Sequence, residues 1–285
     1  MSLDRQFRNI RVRHVYPYRY AESGHGTPVV FVHGNFASRR WWYETLAQPF
    51  PGYRYIALDL PGFAGSEVLE PFLPSIGRYA FNLSLFVRRL GLARFVLVGH
   101  SLGGAVATEF VTQQPYRVAG LLLLASAPPS GYKTPEQSYP ELARLRGNRP
   151  GVAQALRAIM ASRPPDYLGD LVDDALAMHP SGFVGNARAL ELWRALGRTS
   201  VYRNPVRVVA GQNDPIIPPP LVAATSLAFS GADERLLGGI GHSPQIEAPE
   251  LFRELLEDFL VDRVSAAPRY RRLWPGYSWG RSALG

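Results

Sequence analysis

One segment limits the fold more than any other. Arg94 to Val98 is a short apolar run of the kind that forms a buried strand, and Leu102 to Gln113 keeps helical spacing until Pro115. Only Gly99, His100 and Ser101 lie between them. A chain that passes from strand to helix over three residues doubles back on itself. Such a turn requires small flanking residues and pushes a serine out of the sheet with its hydroxyl exposed. The helix N-terminus beneath it offers unpaired N–H groups to a developing negative charge. A plainer role for Ser101 is to cap the helix that starts at Leu102.

The same alternation of strand and helix extends along the chain. Val12 to Tyr20 alternates like a half-exposed strand, and Pro28 to Val32 and Tyr53 to Leu58 read as short buried strands. From Ile76, apolar positions recur at Ala80, Leu83, Val87 and Leu90, one face of a helix that Gly91 stops. Leu121 to Leu124 is a further strand. Residues 130–203 lack strand patterns and hold helical stretches at Val152 to Ala161 and Phe183 to Leu196. Strands resume at Val206 to Ala210 and Glu234 to Leu237, and a helix runs from Pro249 to Val261. This pattern predicts an α/β fold with a mostly parallel sheet, helices on both faces and right-handed crossovers. Residues 1–129 and 204–262 then form the core, and 130–203 is a helical insertion over the strand ends, where such sheets bind ligands.

Composition narrows the function. The 285 residues are 46% hydrophobic and 19% charged, which suits a chain with a sizeable core. The absence of cysteine removes disulfides, thiolate metal ligands and a cysteine nucleophile. The net charge of +8 is concentrated at the ends: five arginines lie in residues 1–20 and five in 263–285, while 21–262 carries −1. A nucleic-acid partner is therefore not expected, because a basic stripe belongs on the folded body. Residues 263–285 read as a basic, aromatic extension. No apolar leader opens the chain, and the stretch from Val118 to Pro129 is too short to span a bilayer, so a cytoplasmic location is expected.

A serine hydroxyl needs a base. His242, in Gly238-Gly239-Ile240-Gly241-His242, follows the last strand on a glycine-rich loop at the same sheet edge as Ser101. His33 and His100 lie inside motifs where packing or backbone bonding suits them better, and His14, His25 and His179 are poorly placed. The base in turn needs a carboxylate. Asp214 follows a valine-rich strand, whereas Ala125-Ser126-Ala127-Pro128 after the preceding strand offers none. Asp214 also suits an Asx-turn before Pro215, which does not exclude the catalytic role. The order Ser101, Asp214, His242 is one that serine triads adopt. Two oxyanion donors are at hand in the N–H groups of Leu102 and Asn35, where Gly34 lets the backbone approach.

Five segments taken in order, His33-Gly34-Asn35, Asp59 to Ser66, Gly99 to Gly104, Gly211 to Asp214 and Gly241-His242-Ser243, resemble the α/β-hydrolase superfamily over about residues 20–262. The resemblance places 130–203 at the position of that family's cap and makes Asp59 structural. It implies a small-molecule substrate, and because no zinc-ligand spacing and no dinucleotide or phosphate-loop fingerprint appears in the sequence, neither metal nor organic cofactor is expected. Serine-based relatives include carboxylesterases, lactonases, C–C bond hydrolases, cofactor-free haloperoxidases and hydrolase-like ligand receptors. Relatives with aspartate as nucleophile are disfavoured by Ser101, and Asn35 is similar to the His-Gly-Asn of certain acyl-homoserine lactone hydrolases. Phe36, Trp41, Met160, Phe183 and Trp193 are candidates to line an apolar acyl pocket. A carboxylic ester or lactone with an apolar acyl part is the expected substrate.

Overall fold

The computed structural model describes Leu3 and residues 7–64, 66–68, 70–162 and 164–265. Eight strands form one sheet: β1 Arg11–Val15, β2 Tyr18–Gly24, β3 Thr27–Val32, β4 Tyr53–Leu58, β5 Phe95–His100, β6 Val118–Leu124, β7 Val206–Gly211 and β8 Asp233–Leu237. Their spatial order is β1-β2-β4-β3-β5-β6-β7-β8, antiparallel only where β2 meets β1 and β4. All six residues of β5 are buried, as expected of a parallel strand covered on both faces.

Alternate residues of each strand enter different layers. Val30, Val32, Leu97 and Leu123 belong to one apolar cluster; Val29, Phe31, Val96 and Val98 belong to the other. The first cluster is completed by helices α2 (Ile76–Arg89) and α3 (Leu102–Gln113), through Leu83, Phe86, Val106 and Phe110. The second takes in Tyr43 and Leu46 of α1 (Tyr43–Ala47), with the indole of Trp42 tilted against the ring of Phe252. The Ser75 hydroxyl caps α2 by accepting from the Arg78 N–H. Gly91, at φ +66°, ends that helix while the Leu92 N–H turns back to the Val87 carbonyl.

Between β6 and β7 the chain makes four helices: α4 Ser138–Arg144, α5 Arg149–Ala158, α6 Leu168–Leu176 and α7 Gly182–Leu192. After β7 come α8 (Pro219–Leu227), then α9 (Pro244–Glu247) and α10 (Pro249–Asp258) beyond β8. No helix among the described residues is long and apolar enough to cross a membrane.

Several sequence expectations need correction. Val12 to Tyr20 is not one strand but the two arms of a hairpin, turned at Tyr16-Pro17 with Val15 opposite Tyr18. The insertion carries α4 and α6 in addition to the two helices expected. The stretch between β7 and β8 holds α8, and the last helix loosens into a wider turn at Phe259–Ser265. Of the basic extension at 263–285, residues from 266 onward lie outside the described chain.

Candidate active site

Ser101 stands between β5 and α3 at φ +54°, ψ −117°, a conformation most side chains avoid. Its N–H donates to the Leu124 carbonyl at 2.9 Å and its carbonyl accepts from Gly104 and Ala105, so the backbone is fully engaged. The side chain makes no capping hydrogen bond, so the helix-cap role does not account for it. The glycines around it are sterically required. A Cβ on Gly99 would lie 2.4 Å from the Gly103 carbonyl oxygen, and one on Gly103 would lie 2.3 Å and 2.4 Å from the carbonyl oxygens of Val32 and His33.

That tight approach packs the start of α3 against the loop after β3. A Cβ built on Gly34 would lie 3.0 Å from both the Ser101 Cβ and the His100 Nδ1. The Asn35 and Leu102 N–H groups have no hydrogen-bond partner among the described residues, as an anion-accepting pair requires. The Asn35 side chain is held from the insertion: its Oδ1 accepts from the Phe36 N–H at 3.0 Å and from the Asn186 amide at 2.8 Å. Asn186 is fully buried on α7, and its own oxygen accepts from the Tyr79 hydroxyl at 2.6 Å. The same loop is tied to α6 further on, where the carboxylate of Asp174 accepts from the Ser38 hydroxyl and from Arg40.

The glycine-rich loop after β8 meets the loop after β7 backbone to backbone, with the Asn213 N–H donating to the Ile240 carbonyl at 2.9 Å. This brings His242 Nδ1 to 2.7 Å from Asp214 Oδ2. The other Asp214 oxygen accepts from the Ile216 and Ile217 N–H groups, so the Asx-turn and the histidine contact coexist. Burial alone would raise the pKa of Asp214. The hydrogen bond and charge of His242, with the two backbone donors, outweigh it and hold the carboxyl below its ordinary value. A carboxylate oxygen can only accept, so Nδ1 of His242 carries the proton shared with Asp214.

His100 links this loop to Ser101. Its Nε2 lies 2.8 Å from the His242 carbonyl oxygen, which can only accept, so Nε2 carries the proton. Burial, reinforced by the nearby His242, pushes its pKa down to about 3. His33 is likewise a neutral structural imidazole: Nδ1 donates to the Gly34 carbonyl, Nε2 accepts from the Leu60 N–H, and burial lowers its pKa to about 4. Asp59 is bonded to the backbone and guanidinium of Arg39 at 2.7 Å and 2.6 Å, a buried pair that anchors the loop after β3. His179 pairs with Glu70 at 2.9 Å.

The candidate pocket residues divide. Phe36 and Phe183 meet edge to face at 5.6 Å, bringing the loop after β3 and the start of α7 together. Trp193 donates its indole N–H to Glu109 of α3 at 2.9 Å. Trp41 is buried flat against the His100 ring at 5.8 Å, and Met160 joins the same apolar layer. Asn186 and Asp174, which bond the loop after β3, and Glu247, whose carboxylate accepts from the Ser162 N–H at 3.1 Å, carry no signal in the sequence. They lie 151, 136 and 85 residues from the loop groups they bond, and no short-range pattern signals such pairs.

Comparisons with known proteins bear on the family and the fold. The sequence profile described as "Alpha/beta hydrolase family" matches residues 29–255. The dihydrolipoyllysine-residue acetyltransferase component of the acetoin cleaving system of Cupriavidus necator is 30% identical over 257 residues, which cover 85% of this chain but only 66% of that protein. The 2-hydroxy-6-oxo-6-phenylhexa-2,4-dienoate hydrolase of Comamonas testosteroni is 27% identical over 86% of this chain and 91% of its own. Among solved structures, an N-acyl homoserine lactone degrading enzyme superposes with a TM-score of 0.72 at 25% identity, over 87% of this chain and all of the other.

Proposed function

The chain is a member of the alpha/beta hydrolase family, and on that premise we propose that it hydrolyses a carboxylic ester or lactone with an apolar acyl part through an acyl-enzyme on Ser101. The Ser101 oxygen attacks the substrate carbonyl carbon while His242 Nε2 takes the hydroxyl proton. Asp214 keeps the proton on Nδ1 and stabilises the imidazolium as it forms. The N–H groups of Asn35 and Leu102 receive the oxyanion. Collapse of the tetrahedral intermediate breaks the acyl–oxygen bond, and His242 returns the proton to the departing alcohol. A water molecule, deprotonated by His242, then attacks the acyl-enzyme, releasing the carboxylic acid and restoring Ser101. In this reading residues 130–203 act as a cap, with Phe36 and Phe183 as apolar walls.

The observation that carries the proposal is the 2.7 Å bond between His242 Nδ1 and Asp214, which commits one ring nitrogen, in a loop joined through the His242 carbonyl to His100, the neighbour of the strained, uncapped Ser101. The lactone-degrading neighbour supports the ester and lactone class. A fluorophosphonate probe tests the reading: wild type should be labelled stoichiometrically and Ser101→Ala not at all. Labelling of Ser101→Ala, or none of wild type, would refute it.

A second reading, C–C bond hydrolysis on the same residues, is favoured by the Comamonas relative. A panel of p-nitrophenyl esters, lactones and vinylogous diketones separates the two. Diketone cleavage with feeble ester turnover would reverse the order.

A further inference from the structure

Glu247 has no part in the chemistry above, yet its carboxylate accepts five hydrogen bonds. Oε1 takes the Ser243 N–H at 2.9 Å and Oε2 takes the Gly241 N–H at 3.0 Å, so the group spans His242 by holding the amide on either side of it. Oε2 also receives the Ala161 N–H at 2.9 Å, the Ser162 N–H at 3.1 Å and the Ser162 hydroxyl at 3.3 Å. These last three donors belong to the strap that follows α5 in the insertion.

A turn of helix closing on the residue that precedes it explains only the Ser243 contact. The remaining four are not local to α9, and three of them cross 85 or 86 residues of sequence. The surrounding geometry is equally tight. The His242 N–H itself donates to the Ile159 carbonyl at 2.8 Å. A Cβ on Gly241 would lie 2.6 Å from both the Ala161 nitrogen and the Ile159 oxygen, so the two segments touch backbone to backbone. An ionised carboxylate is the one group of this size that can satisfy so many converging donors without supplying a proton of its own.

We propose that Glu247 is a positioning residue that fastens the His242 loop to the 159–162 strap, making correct seating of the insertion and correct aim of the His242 ring a single event. The proposal rests on the assignment of His242 as the base. It gives Glu247 a signature distinct from that of a stability residue. The turnover number falls because the imidazole is misaimed, while the Michaelis constant, set by the acyl walls, stays put.

The test compares wild type, Glu247→Gln and Glu247→Ala, all checked for folding by circular dichroism and thermal melting. Glu247→Ala should lose roughly 30- to 100-fold in kcat on the best p-nitrophenyl ester, with KM changed less than about threefold and fluorophosphonate labelling slowed in parallel. Glu247→Gln keeps one oxygen for the shared donors but turns an NH2 toward the Ser243 N–H, so it should recover most of that loss and settle roughly fivefold below wild type. A folded Glu247→Ala with wild-type kcat overturns the proposal, as does a loss carried entirely by KM. Should Glu247→Ala fail to fold, Glu247→Gln at the wild-type kcat overturns it alone. The downfield Nδ1 proton of His242, read by proton NMR, keeps the two readings apart. If wild type resists the probe the catalytic reading falls, and an unchanged resonance in the variants separately refutes the role of Glu247.

Discussion

Three histidines near the strand ends show how neighbours assign one side chain different tasks. His33 and His100 each have a ring proton consumed by a backbone carbonyl, and burial keeps both neutral; His242 has its Nδ1 proton consumed by Asp214 instead. In the proposed mechanism the Asp214 contact is therefore the determinant of which nitrogen acts. Replacing Asp214 by Asn presents an amide that can donate to the ring, favouring the opposite tautomer. The substitution should lower kcat by about 10³- to 10⁴-fold with little change in melting temperature. A fall below tenfold in steady-state ester turnover would show that the carboxylate is not needed. The backbone bonding of His33 and His100 was readable from sequence in outline, since both lie inside motifs suited to it. Asn186 and Glu247 were not, because their partners are set by which helices the insertion packs against the loops.

At the level of elements, the strand–turn–helix at Ser101 was legible because sterics leave it few alternatives: Gly99 and Gly103 both face backbone, and Gly104 faces the Ser126 side chain. The prediction is correspondingly sharp. Gly103→Ala places a methyl against the carbonyls of Val32 and His33, which cannot yield without moving the loop that carries Asn35. It should cost about 3 kcal/mol or more in urea unfolding and abolish probe labelling. Gly77→Ala is the contrast, on an exposed turn of α2 with nothing within 4 Å, and should stabilise by up to about 1 kcal/mol. Equal effects at the two sites would refute the steric account. Elements that escaped the sequence reading have equally physical reasons. The hairpin turn at Tyr16-Pro17 contains no glycine or asparagine to announce it. Helix α8 begins at Pro219 and Pro220 and is apolar around its whole circumference, so it has no periodic face to detect. Helix α4 is too brief for a spacing to repeat, whereas α6 carries apolar residues at Leu168, Leu171, Val172 and Ala175, a helical spacing that the sequence reading passed over.

For the molecule as a whole, the buried imidazoles set how stability responds to acid. An unfolded histidine protonates near about 6.5, whereas His33 resists until about 4 and His100 until about 3. Below about 6.5 the unfolded chain thus binds more protons than the folded one, and stability declines as pH falls, by up to about 1.4 kcal/mol per pH unit for each ring. Asp59, raised to about 6 by burial despite Arg39, acts in the opposite sense below that pH and offsets one of the two. Urea unfolding at pH 7.5, 6 and 5 should show the decline, and His33→Asn should flatten it; a slope unchanged by that substitution would sink the argument. The placement of the insertion has a broader consequence. It departs from β6 and returns to β7, which lie side by side in register from Leu121 opposite Val206. Some seventy residues can accordingly be exchanged for another excursion of any length without altering the order of a single strand. The constraint on such an exchange is not the sheet but the bonding addresses on its rim, Asn35, Ser38, Glu109 and Glu247 among them, which every replacement must meet with donors or acceptors of its own.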